Sequence, residues 1–169
     1  MCLIALALGG CGDKGKLFVW NGTEQPLIVT LTGGENEELA LSPGTGKLFE
    51  RASAGAYAMV TSHADGTQTS GQFELGAGKV AIVNLDGAAC FARIDISGMY
   101  TPNKERVILL ESYDQRPVLA LDDILHVFPG EPVPPTRPKS AYAFQRMYQV
   151  PCDVVNDRVM LTEHVRKQK

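Results

Sequence analysis

The sequence has little charge of either sign to spare: 16 Lys and Arg stand against 19 Asp and Glu, a net charge of −3 at neutral pH. That balance leaves no basic footprint for a phosphate backbone, so nucleic-acid binding is excluded as an expectation. Long hydrophobic runs are also missing. The longest near the start, Leu3 to Leu8, is far short of the ~20 apolar residues that span a bilayer as a helix. Aromatics make up only 7% of the chain. There is no CxxC pair, no HExxH and no GxSxG elbow, so the local signatures of zinc sites and of hydrolase nucleophiles are lacking. What is present, 44% hydrophobic residues over 169 positions with 17 Gly and 10 Pro, is enough for a globular core with many turns.

The first eleven residues stand apart. Leu3 to Leu8 is unbroken apolar sequence, Gly9 and Gly10 are small, and beyond Cys11 the chain turns polar through Gly12, Asp13, Lys14, Gly15 and Lys16. An apolar stretch ending in small residues at such a boundary has the pattern of a signal segment. The tetrad Leu8, Gly9, Gly10, Cys11 resembles the lipobox of bacterial lipoproteins. The resemblance covers these four residues and the run before them. It implies cleavage before Cys11, acylation of Cys11 with palmitate-like chains, and anchoring of the protein to a membrane. Gly12 in place of Asp after the cysteine implies the outer membrane by the enteric sorting rule. No Lys or Arg precedes Leu8 and the segment is shorter than a usual ~15–30-residue signal, which predicts a coding start further upstream.

Of the four cysteines, processing would remove Cys2 and acylation would use Cys11, leaving Cys90 and Cys152. An even pair in an oxidising compartment predicts a disulfide, and closing so long a loop stabilises a fold by roughly 4 kcal/mol. Neither cysteine has a histidine at ligand spacing, so no metal and no cofactor is expected.

From Lys16 to Ser112, short β-branched, aromatic and aliphatic runs alternate with Gly, Pro, Asn or Asp about every eight to twelve residues, the rhythm of an all-β domain. Leu27, Val29 and Leu31 alternate with Ile28, Thr30 and Thr32 before the turn pair Gly33-Gly34. Tyr57 to Thr61 and Gln72 to Leu75 flank Asp65-Gly66, a pair suited to a turn with positive φ. Lys79 to Leu85 is apolar on both faces and reads as a central strand. Ala92 to Ile96 reads as half-exposed, and Arg106 to Ser112 adds one more strand.

These features predict an antiparallel β-sandwich of about seven or eight strands over residues 16–113, following a signal segment at 1–10 and a tether at 11–15. Residues 114–169 read as a C-terminal extension docking on the sandwich, with a Pro-rich connector at 129–138 and a solvated tail from Glu163 to Lys169. The rhythm resembles that of immunoglobulin-like or transthyretin-like sandwiches. The two-cysteine, one-tryptophan hallmark of antibody domains is missing, because Trp20 lies far before Cys90.

Candidate chemistry is sparse. Pro43, Gly44, Thr45, Gly46, Lys47 is similar to the end of a P-loop, but Leu41 replaces the first glycine and Leu48 the hydroxyl residue after the lysine, so a β-turn is expected. Asp122 and His126 have the spacing of a one-turn metal clamp but are expected to serve as the cap of a short helix and a surface or half-buried residue. His63 beside Asp65 reads as turn chemistry, and Glu35, Glu37 and Glu38 as a solvated hairpin tip. The expectation is a non-enzymatic envelope lipoprotein that binds or braces other envelope proteins. The alternative is a small ligand-binding or hydrolytic sandwich in which His63, Asp65 and His126 converge at the end loops.

Overall fold

A computed structural model describes residues 14–101, 108–121, 125–136 and 144–167. Strand β1 (Lys14–Asn21) is followed by β2 (Leu27–Thr32), β3 (Glu37–Leu41), β4 (Thr45–Ser53), β5 (Gly55–Ser62), β6 (Gln68–Leu75) and β7 (Val80–Asn84). After a 3₁₀ turn at Leu85–Gly87 come β8 (Cys90–Asp95), β9 (Ile108–Tyr113), β10 (Val118–Leu121), β11 (Gln145–Val150) and a helix, α1 (Arg158–Lys167). The fold is all-β and sandwich-like.

Three sheets form, with strand orders β3-β2-β5-β6, β10-β7-β1-β4 and β11-β8-β9. The second of these is the middle layer. One face of it, Leu17, Val19, Ala81 and Val83, packs on the inner residues of the first sheet, among them Leu27, Val29, Leu31 and Tyr57. Its opposite face, Phe18, Trp20, Val80, Ile82, Leu119 and Leu121, packs on Phe91 and Met147 of the third sheet. The far side of that third sheet is covered by α1 through Leu161 and Val165. The order of layers is therefore sheet, sheet, sheet, helix.

The alternation of side chains explains this stack. In β1 and β7 both parities are apolar, so both faces can be buried, and the two strands pair in parallel from Lys16↔Val80 to Trp20↔Asn84. In β2 only Leu27, Val29 and Leu31 point inward, while Ile28 remains 48% exposed on the outer face. Strands β10 and β11, which follow the main strand series in sequence, complete the middle and third sheets by pairing with β7 and β8.

One local reading differs from the structure. Residues 163–167 are helical rather than frayed: the Asp157 carboxylate accepts the Val159 and Met160 amides as an N-cap, and Val165 is buried. The segment 129–136 is tied to its neighbours by hydrogen bonds. Tyr100 donates its hydroxyl to the Pro134 carbonyl, the Phe128 amide donates to the Glu131 carboxylate, and Val127 bridges to Arg146.

Candidate functional site

Cys90 opens β8, and Cys152 lies two residues beyond the end of β11, where Val150 pairs with Cys90. Their Cα atoms are 5.2 Å apart and the sulfurs are joined in a disulfide. Cys11 lies outside the described residues, as do the signal segment, Asp122 and Lys169.

The P-loop-like residues form a turn entering β4. The Thr45 amide and hydroxyl donate to the Ser42 carbonyl, and Gly44 adopts φ 65°. Gly46 is required by packing: a Cβ there would stand 2.6 Å from the Phe18 ring and 2.7 Å from the Val19 carbonyl. The glycine thus serves strand pairing, with no phosphate cradle opening a helix. Glu35 accepts the Ser53 amide, and Glu37 and Glu38 are exposed on β3.

The most developed polar cluster lies where the sandwich opens between the edge strands β6 and β10. Met59, Gly71 and Phe73 line one side of a cleft of about 580 Å³, Pro117 and Val118 line the other, and His63, Thr69 and Asp86 close one end. Asp86 has a φ of 56°, which among the described residues no other non-glycine shares. Asn84, fully buried, holds the turn that carries it: its amide donates to the Ala89 and Arg116 carbonyls, and its oxygen accepts the Ala89 amide. One carboxylate oxygen of Asp86 accepts the Thr69 hydroxyl at 3.0 Å, and the other lies 3.5 Å from His63 Nε2.

His63 reaches this position because β5 ends in a tight turn. The Gly66 amide donates to the His63 carbonyl and the His63 amide to that of Thr67. Asp65 belongs to the same turn but spends its oxygens on the Thr67 hydroxyl and amide, which hold its carboxyl below the usual range. His126 is elsewhere. Its Nδ1 accepts the Gln145 amide, its ring packs on Phe144, and burial together with the Lys16 ammonium lowers its pKa. Lys16 pairs with Val80 at the start of β7, whereas Asp86 follows the end of β7. The structure therefore brings His63 to Asp86, and leaves His126 by the opposite end of the middle sheet.

Asp86 was not singled out by sequence. An Asp-Gly pair after an apolar run was the available signal, and its partner Thr69 is distant in the chain. Among the described residues no three His, Cys, Asp or Glu side chains are close enough to hold a metal ion. No described helix is long and apolar enough to cross a membrane. No protein-family model matches the chain, and no curated protein matches it.

Proposed function

We propose that the chain is a non-enzymatic binding module of the bacterial cell envelope, anchored by acyl chains on Cys11 and facing the periplasm or the cell surface. The observation that supports this most is the Cys90–Cys152 bond. It joins the two cysteines that lipobox-type processing leaves available, and disulfides of this kind persist in exported proteins. On this reading the lipid would sit close to the start of β1. Only three residues lead from Cys11 to Lys14, at most about 11 Å of chain. The His63–Asp86 end of the cleft would then face away from the membrane.

The test is the intact mass of the protein recovered from its native membranes, before and after reduction. A mass beginning at Cys11 plus acyl chains, gaining two hydrogens on reduction, is expected. An unacylated chain that retains residues 1–10 would overturn the anchor.

A second reading, a small ligand-binding or hydrolytic domain, draws on the His63–Asp86 pair in the cleft. Its test is ester hydrolysis by the purified chain. Turnover lost in His63→Ala would favour it, and absence of turnover in the wild type would remove the hydrolytic form.

A further inference from the structure

Strand β6 pairs with β5 along all eight of its residues, and among the described residues no strand adjoins its other edge. Such an edge offers a row of backbone donors and acceptors to any extended chain, and proteins usually guard it with charge or proline. The other edges of the first two sheets carry guards: Lys47, Glu50 and Arg51 are exposed on β4, Glu37 and Glu38 on β3. β10 has only four residues and follows Pro117. β6 has no proline, and Glu74, next to its end, is its one charge.

Unlike the edge β9, which also carries a single charge, the edge of β6 borders the cleft. Thr69, Gly71 and Phe73 are the β6 residues facing the middle sheet, since they pair with the inward residues Thr61, Met59 and Tyr57. Behind them Thr61 is fully buried, and its hydroxyl has no hydrogen-bond partner. The cleft is apolar over Met59, Phe73, Pro117 and Val118, and anionic at Asp86 beside His63, with no Lys or Arg in its lining.

We infer that this cleft is a receptor for an extended peptide segment of a partner protein. The segment adds as a strand to β6, sets an apolar side chain over Met59 and Phe73, and places a Lys or Arg, two residues away, at Asp86. Charge complementarity selects this occupant over a second copy. A copy pairing through its own β6 would bring no cation to Asp86, because that strand has no Lys or Arg. The inference rests on the proposal that the chain is a binding module, but not on the lipid anchor, which the mass measurement tests separately.

The experiment probes an array of synthetic peptides of about eight residues, the length of β6, with the oxidised full chain in mild detergent. Alternate positions are held as Thr, and two neighbouring inward positions are varied. Binding is expected to concentrate in peptides with Lys or Arg two residues from Val, Ile, Leu or Phe. For one such peptide, Asp86→Asn should weaken binding about tenfold or more, and replacing the peptide Lys by Met should abolish that sensitivity. Gly71→Leu should abolish binding while leaving the circular dichroism unchanged. Gly71 has no positive φ, and a Cβ there meets only the flexible Met59 methyl, at 3.4 Å. Uniform array signal, or binding indifferent to both substitutions, would overturn the inference. So would self-association that Gly71→Leu abolishes, which would assign the edge to a second copy.

Discussion

His126 shows how a single residue ties pH to stability. Its neutral form is the one that fits, because Nδ1 accepts the Gln145 amide at 3.2 Å and cannot do so when protonated. Burial first, and the Lys16 ammonium second, push its pKa below the ordinary 6.5. Between that depressed value and about 6.5 the unfolded chain binds more protons than the folded one, so stability rises with pH there. The contribution is complete above about 6.5 and is lost as pH falls through the folded value. An imidazole titration followed by NMR should give a midpoint for His126 below 6.5, and a midpoint at or above it would refute the argument. Urea midpoints should fall on acidification within this window, and less so in His126→Asn, whose side-chain oxygen can take the Gln145 amide without titrating. Asp86 belongs to the same scale. Its left-handed backbone is tolerated better by Asp than by a branched residue, and its side chain offsets that strain with the Thr69 contact.

At the scale of elements, the disulfide closes a loop spanning 62 positions and fastens the segment between β11 and α1 to the first residue of β8. The loop-entropy relation assigns such a closure about 4 kcal/mol. Reduction, or the double change Cys90→Ala with Cys152→Ala, should lower the unfolding free energy in guanidinium by about that amount. Identical unfolding curves with and without reductant would count against it. The elements themselves were unequally legible in the sequence. β2, β5 and β7 were readable because alternation, or its absence on a fully buried strand, is a direct record of burial. β4 was not: Lys47, Glu50 and Arg51 are exposed on an edge, and the strand is held by pairing with β1 rather than by a buried face of its own. α1 was missed because it buries only Leu161 and Val165, too few to mark a helical period. The candidate cleft was half legible. His63 and the Asp65-Gly66 turn were visible, but Asp86, Thr69 and Pro117 meet His63 only through sheet packing.

For the whole molecule, the decisive feature is that one sheet serves two cores. β1 and β7 send Leu17, Val19, Ala81 and Val83 one way and Phe18, Trp20, Val80 and Ile82 the other, so each outer sheet shares a core with the middle one, and the third sheet has a further core under α1. The outer sheets should therefore be coupled through the middle one and unfold together rather than as separate sandwiches. Hydrogen exchange under native conditions should find the slowest amides in β1 and β7. Ile82→Ala opens a cavity only toward the third sheet, at a cost of about 2–5 kcal/mol. If the coupling holds, it should reduce protection in β2 and β5 as much as in β8 and β11. A loss confined to β8, β11 and α1, with β2 and β5 unchanged, would mean that the first sheet and its half of the core form an independent unit. In that case the cleft between β6 and β10 would lie on a boundary that opens by itself, and a peptide added to β6 would stabilise β6 and β5 selectively. With full coupling, a bound strand should raise protection throughout all three sheets.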